Sequence, residues 1–129
     1  MESIFDPGNG NVTIRIPAHL NQIDLEGQLA HESFHVFSPA TPDEAKVLDE
    51  GLATRFAFRV RNYQPPVNVW NYRAAWAVVD WLDNLYPNAI QELRRAQPRV
   101  ALIEENEIRR VCMELPAYWA HFLGHRFYQ

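Results

Sequence analysis

The sequence has little cysteine, no excess of positive charge and no long apolar run. Its single cysteine, Cys112, excludes an intrachain disulfide and favours a reducing compartment such as the cytoplasm. The formal net charge is -4, and basic runs do not exceed paired arginines, which argues against nucleic acid or an anionic membrane as the partner. No apolar run approaches the roughly 18 residues of a transmembrane helix. The first residues, MESIFDPGNG, lack the basic and apolar segments of a signal peptide.

The remaining composition is that of an ordinary globular domain. Of 129 residues, 47% are hydrophobic and 22% are charged, which is enough apolar material for one core. No internal repeat or long linker divides the chain, so residues 1–129 are expected to form a single domain. The patterns along the chain predict an α+β fold that is mostly helical, with a small N-terminal β-sheet or hairpin.

Alternating side chains predict a strand near the N-terminus. Turn-forming residues fill positions 6–10, and Val12, Ile14 and Ile16 then alternate with polar residues. This alternation is typical of a strand with one buried face, and Pro17 is expected to end it.

Helical segments are predicted after this strand. The first runs from Asn21 to Phe37. The second starts with a capping box at Thr41, with proline in the first helical position, and is expected to continue to residue 61. Further helical segments are predicted over 70–86 and over 103–123, the latter with a break at Pro116.

One motif in the first predicted helix carries recognisable chemistry. The residues His31-Glu32-Ser33-Phe34-His35 fit the pattern H-E-x-x-H. Residues four apart lie on one face of a helix, so both imidazoles can reach a single tetrahedral zinc ion. Glu32 is rotated by about 100° from His31, where it can accept a proton from a zinc-bound water.

A catalytic zinc takes three protein ligands, so the motif lacks one. If the second helix begins at Pro42, Glu50 lies about 12 Å along its axis, level with histidines about 3 Å and 9 Å from the end of the first helix. Small residues around Glu50, Gly51 among them, would let the two helices approach closely. Glu50 is therefore the favoured third ligand, and Asp49, about 100° away around the helix, is the alternative.

These residues resemble the gluzincin group of zinc metallopeptidases. The motif is followed by E-G-L-A starting at Glu50, with 14 residues (36 to 49) between His35 and that glutamate. The chain length is similar to that of the minigluzincins. Residues 50–57 are similar to the glutamate helix of small metallopeptidases that cleave repressors in mobile elements and stress responses. The resemblance covers about residues 11–63, half of the chain.

The resemblance implies a zincin-like fold, in which the hairpin packs on the active-site helix. It also implies that Zn2+ is held by His31, His35 and Glu50. Glu32 would then act as general base and general acid while zinc polarises the scissile carbonyl.

The resemblance further implies where a peptide substrate binds. Thr13, Ile14 and Arg15 would form an edge strand that pairs with an extended peptide. Many gluzincins carry an aspartate four residues after the ligand glutamate, which orients the first histidine. Here that position is Thr54, so His31 needs another partner.

A hydrolase of this kind also needs a donor for the oxyanion. His121 is the preferred candidate. The other candidates are His125, Tyr63, Tyr72, Tyr118 and Tyr128. His121 and His125 repeat the spacing of the first histidine pair, but no glutamate follows His121 and Gly124 is expected to end the helix. A second metal site is therefore not expected there.

The resulting hypothesis is a zinc-dependent metallopeptidase that acts on a peptide or protein substrate. One alternative is an inactive binding or regulatory module with structural zinc, for which His121, His125 or Asp49 would be the fourth ligand. A regulatory protease that cleaves repressors is a second alternative. A zinc hydrolase with a non-peptide substrate is a third, because H-E-x-x-H specifies the metal and the base but not the substrate.

Overall fold

The computed structural model describes residues 1–65 and 70–128, with the backbone alone at residue 70. Within these ranges, a two-stranded sheet is followed by six α-helices and one short 3-10 helix. The elements are β1 (Glu2–Asp6), β2 (Asn11–Arg15), α1 (Gln22–Phe37), α2 (Val47–Arg61), α3 (Trp70–Leu85), α4 (Ala89–Ala96), a 3-10 helix (Val100–Leu102), α5 (Glu105–Val111) and α6 (Ala117–Leu123). The predicted α+β, mostly helical fold is confirmed.

The sheet is an antiparallel hairpin in which Glu2 lies opposite Arg15. The Asp6 side chain accepts a hydrogen bond of 2.8 Å from the Gly8 N–H, and Gly10 has a φ of +75° that favours glycine. Strand β2 is confirmed to within one residue, whereas its partner β1 was not assigned from the sequence. The hairpin packs against α1 mainly through β1.

The first helix begins and ends where its capping residues predict. The Asn21 side chain accepts a hydrogen bond of 2.8 Å from the Asp24 N–H, which satisfies one free donor of the first turn. At the other end, the buried Ser38 hydroxyl accepts a hydrogen bond of 2.8 Å from the Val100 N–H. This contact ties the end of α1 to the 3-10 helix.

The second helix begins at Val47, so the prediction that it starts at Thr41 is wrong. The capping contact itself forms, since the Glu44 carboxylate accepts a hydrogen bond of 3.0 Å from the Thr41 N–H. However, Lys46 is extended (φ -116°, ψ 166°) and forms a β-bridge with Arg126. The Val47 N–H donates to the His125 carbonyl at 3.0 Å instead of to a preceding turn. Because Lys46 and Val47 pair with the C-terminal segment, α2 begins only at Val47.

Helix α2 is the centre of the molecule and packs between α1 and α3. Gly51 faces α3, because a Cβ atom there would lie 2.6 Å from the Ala75 carbonyl oxygen. The expectation that Gly51 brings α2 close to α1 is therefore wrong. The largest fully buried apolar side chains are Leu48, Leu82, Leu93, Ile103, Ile108 and Leu123. Because α2 is central, Asp49 and Glu50 near its start are buried inside the protein.

Among the helices in the described ranges, none combines the length and the apolar character needed to cross a membrane.

Candidate metal centre

Helices α1 and α2 run antiparallel and bring His31, His35 and Glu50 together. Nε2 of His31 lies 3.0 Å from Oε2 of Glu50, and Nε2 of His35 lies 3.4 Å from Oε1 of the same carboxylate. One potential ligand atom from each residue lies within 4.8 Å of the others. In the part of the chain that the structure describes, this is the one group of three or more such residues that converges in this way.

Glu50 lies level with the histidines, although α2 begins later in the chain than predicted. Because α2 begins at Val47, Glu50 lies about 4.5 Å along its axis rather than about 12 Å. His35 and His31 lie about 3 Å and 9 Å from the end of α1, so Glu50 is still level with them. Residues 38–46 thus connect the end of α1 to the start of α2, and these two ends lie side by side.

The donor set suits a metal ion. Two imidazole nitrogens and one carboxylate oxygen are ligands that divalent transition metals take, and bonds of about 2.0–2.1 Å place tetrahedral ligands about 3.4 Å apart. The separations of 3.0 and 3.4 Å end on different oxygens of Glu50, and one ligand atom from each residue lies within 4.8 Å of the others. The cluster is therefore close enough to bind a metal ion once its side chains move together.

The charges of the cluster also favour a cation. Burial raises the pKa of Glu50, but hydrogen bonds from His31 and His35 outweigh it and lower the pKa to about 2. Burial lowers the pKa of His35, but the hydrogen bond and charge of Glu50 and the charges of Asp49 and Glu32 raise it to about 9. The surrounding carboxylates thus favour a positive charge at this place, which a bound metal ion would supply in place of a proton.

Asp49 lies behind His35 rather than among the three converging atoms. Its Oδ2 atom is 3.6 Å from Nδ1 of His35, the ring nitrogen that faces away from Glu50. Asp49 is completely buried, and within the described residues neither of its carboxylate oxygens has a hydrogen-bond partner. Burial and the Glu50 charge raise the pKa of Asp49 to about 7, against the lowering effect of His35. Asp49 thus lies on the side of His35 where carboxylates orient metal-binding histidines, but at 3.6 Å it makes no hydrogen bond to the ring.

Glu32 lies between two cavities beside the cluster. The Tyr63 cavity, about 260 Å³, is lined by residues that include His31, Thr54, Ala57 and Tyr63. The Thr41 cavity, about 250 Å³, is lined by residues that include Thr41, Asp49 and Glu50. Glu32 and Tyr72 line both cavities, so both residues border the open space on either side of the cluster.

Tyr72 and Tyr128 also border the cluster. The Tyr128 hydroxyl donates to Oε1 of Glu50 at 3.3 Å, and the two phenol hydroxyls share a hydrogen bond of 3.0 Å. The ring of Tyr72 contacts the ring of His31 edge-on, with 5.7 Å between centroids. Tyr128 reaches this place because the Phe127 N–H donates to the Ala45 carbonyl at 2.9 Å and holds the C-terminal segment against residues before α2. Both tyrosines were oxyanion candidates, but no local pattern singles them out.

His121, the preferred oxyanion candidate, lies elsewhere. Its side chain is 71% exposed, and its Nδ1 atom lies 3.1 Å from Oε1 of Glu105. Its ring contacts the ring of His125, and it lines neither cavity beside the cluster as the described residues define them. The position of His121 therefore gives its predicted role no support.

The predicted substrate-binding residues lie on β2. Thr13 and Ile14 pair with Ile4 and Ser3 of β1, and Arg15 forms an exposed ion pair with Glu2. Residues 1–3 line the Thr41 cavity, so β1 is the strand that borders the site. The role of β2 in peptide binding stays a prediction.

The Thr54 hydroxyl donates to the Glu50 carbonyl of its own helix at 2.8 Å. It therefore bonds within α2 instead of taking the place of the aspartate that orients the first histidine in many gluzincins.

No known protein family matches this chain, and comparisons with curated proteins and with solved structures likewise found no match. The resemblance to gluzincins accordingly stays a prediction based on the motif and on Glu50.

Proposed function

We propose that this protein is a zinc-dependent metallopeptidase. The supporting observation is the convergence of His31, His35 and Glu50 beside two cavities that Glu32 borders. Three protein ligands are the number that catalytic zinc sites use, because the remaining position is needed for water or substrate.

Zinc bound by these side chains would supply Lewis-acid activation of a water molecule and of the scissile carbonyl. Glu32 accepts the proton of the attacking water and transfers it to the leaving amine. Glu50 is unsuited to this step because its carboxylate would be bound to zinc, with the Tyr128 hydroxyl donating to Oε1. The two carboxylates thus have separate roles, one as ligand and one as base.

Tyr72 replaces His121 as oxyanion donor in this proposal. It lines both cavities, and burial raises the pKa of Tyr72 to about 12, so its hydroxyl keeps a proton at neutral pH. This hydroxyl can donate to the developing oxyanion by turning its proton away from the Tyr128 hydroxyl. His121 has no comparable position, since it is paired with Glu105 on the surface.

A purely structural zinc site requires a fourth protein ligand. Of the candidates for that role, Asp49 faces Nδ1 of His35 from behind and His121 is paired with Glu105. The third candidate, His125, is exposed and its ring contacts that of His121. The converging group contains three residues in the described part of the chain. The geometry therefore favours the catalytic alternative.

The proposal is tested by measuring bound zinc and peptidase activity on the same protein samples. Elemental analysis is expected to find about one zinc per chain in the wild type and in Glu32→Gln, because Glu32 is not a ligand. A quenched fluorescent peptide library is expected to be cleaved by the wild type and not by Glu32→Gln. Glu26→Gln, on the exposed surface of the same helix, is the matched control and should retain activity.

Two results would contradict the proposal. Full activity of Glu32→Gln would exclude Glu32 as the base. Zinc binding with cleavage of esters or simple amides but not of peptides would indicate a hydrolase with another substrate class.

A further inference from the structure

We propose that Arg99 holds the β-hairpin as a lid over the Thr41 cavity and so limits entry to that side of the metal centre. The walls of this cavity include two separate parts of the chain. Residues 1–3, at the start of the hairpin, form one of these walls, and residues 40–42 with Ala45, before α2, form the other. Arg99 contacts both parts. The inference goes beyond the proposed function, because it concerns access to the cluster and not the reaction.

The hairpin is attached to the rest of the protein by few buried contacts. Across residues 2–6 and 11–15, all of which the structure describes, exposed side chains alternate with half-buried ones and none is fully buried. A two-stranded sheet with so little burial opens easily unless another element holds it. The Arg99 guanidinium supplies such a contact, since its carbon lies 4.8 Å from the centre of the Phe5 ring. Phe5 and Ser3 share one face of β1, so this contact also holds Ser3 at the cavity.

The same guanidinium fixes the opposite wall. Its Nε atom donates to the Pro39 carbonyl at 3.0 Å, and its Nη2 atom donates to Oε2 of Glu44 at 2.5 Å. That oxygen of Glu44 also accepts a hydrogen bond from the Thr41 N–H. Arg99 therefore holds both ends of residues 39–44, and Thr41 lies between them.

The backbone that carries Arg99 is anchored in the protein core. The next residue, Val100, is completely buried, and its N–H donates to the buried Ser38 hydroxyl at 2.8 Å. The Arg99 N–H donates to the Gln97 side chain at 3.2 Å. The hairpin is thus the less firmly held of the parts that Arg99 joins. Loss of the Phe5 contact is expected to release the hairpin while the helices stay in place.

The experiment measures how often the lid opens, through a thiol placed under it. Ala45 is 4% exposed and lines the Thr41 cavity, so the thiol of Ala45→Cys reacts with a labelling reagent when the cavity opens. Adding Arg99→Ala or Phe5→Leu should speed this reaction by about five- to tenfold, since either change removes the cation–π contact. Phe5→Tyr keeps the aromatic ring and should leave the reaction slow. Mass spectrometry of the labelled peptides measures each rate.

The native cysteine is the internal control. Cys112 is completely buried in the helical core, so its labelling reports the opening of the whole protein. Release of the lid should therefore speed labelling of the introduced thiol relative to that of Cys112. Arg55→Ala is the matched arginine control, because Arg55 joins α2 to two carboxylates of α3. It should leave the ratio of the two labelling rates at its starting value.

Each outcome decides the proposal. A fast reaction in Ala45→Cys alone, or no acceleration by Arg99→Ala, would show that Arg99 does not hold a lid. Equal acceleration of both thiols would make Arg99 a residue of general stability, and an effect of Arg99→Ala without one of Phe5→Leu would place its action in residues 39–44. Either result overturns the lid.

Two alternatives keep the test decisive if a variant does not fold. Ala40→Cys places the thiol in the same cavity, and Phe5→Leu tests the lid without Arg99→Ala. The labelling requires neither bound zinc nor peptide cleavage, so failure of the proposed function and failure of the lid are separate results.

Discussion

Two histidine pairs with the same spacing occupy different surroundings in this protein. His31 and His35 lie on α1 with ring centroids 5.3 Å apart, and the rings of His121 and His125 are 5.6 Å apart. The first pair converges on Glu50, whose carboxylate contacts both rings. In the second pair, His121 meets the exposed carboxylate of Glu105, and α6 ends before His125.

Burial is the larger difference between the pairs. The side chains of His31 and His35 are 16% and 7% exposed, whereas that of His121 is 71% exposed. A carboxylate held away from water interacts more strongly with a cation than one at the surface does. Spacing alone therefore does not define a metal site. A buried carboxylate from another helix is what distinguishes the first pair.

The largest expected effect comes from removing one histidine of each pair. His31→Ala should lower zinc affinity by more than the roughly 10- to 100-fold that changes behind the ligands cause, because a ligand itself is lost. His121→Ala should leave the affinity unchanged. Competition with a chromophoric chelator measures both affinities. Equal losses in the two variants would show that the pairs are equivalent and would remove the basis of the comparison.

The next effect concerns the carboxylates near each pair. Asp49→Asn should weaken zinc binding by about 10- to 100-fold, because an amide replaces the carboxylate that faces Nδ1 of His35 and could accept its proton when the metal binds. Glu105→Gln makes the same change beside His121 and should have no effect. The chelator competition applies again, with thermal unfolding as a check of folding. An unchanged affinity in Asp49→Asn would mean that Asp49 does not orient the ligand.

Much of this comparison could be predicted from local patterns. Residues 31–35 and the capping residue Asn21 place both histidines on one face of a helix, and the structure confirms α1. Glu50 lies beside the histidines as expected although α2 begins five residues later than predicted (47 against 42), because the start of α2 lies level with the end of α1. The strand β1 was missed because Ile4 points outward while Ser3 points inward, which obscures the alternation.

The remainder depends on contacts between distant parts of the chain. The start of α2 is set by the hydrogen bond from the Val47 N–H to the His125 carbonyl. The helix propensities of the residues near Val47 do not predict this long-range contact. The role of Gly51 required knowing that α3 packs against it. The position of Tyr128 beside Glu50 follows from the pairing of the C-terminal segment with residues 45–47. The site therefore combines residues that a local motif predicts with residues that long-range pairing brings beside them.

The third expected effect compares two glycines: Gly51, which follows Glu50, and Gly124, which precedes His125. Gly51→Ala should destabilise the protein by about 1–3 kcal/mol, since its Cβ would be 2.6 Å from a backbone oxygen of α3 that cannot easily move. At Gly124 the nearest atom to an added Cβ is 3.3 Å away, so Gly124→Ala should change stability by less than about 1 kcal/mol. Urea unfolding of both metal-free variants measures the difference. If Gly51→Ala proved as stable as the wild type, the close packing of α2 against α3 would not be needed to hold Glu50 in place.

The smallest effect is expected at the tyrosine that reaches Glu50 from the C-terminal segment. Tyr128→Phe removes the hydroxyl that donates to Oε1 of Glu50 at 3.3 Å. A hydrogen bond of this kind contributes about 1 kcal/mol, so zinc affinity should fall by several-fold and no more. Tyr118 lies on α6, the helix of the second pair, and is 65% exposed. Tyr118→Phe removes its hydroxyl and should leave zinc affinity unchanged. A loss as large as that of Asp49→Asn would mean that Tyr128 determines the geometry of the ligand, and the C-terminal segment would then be as important to the site as α2.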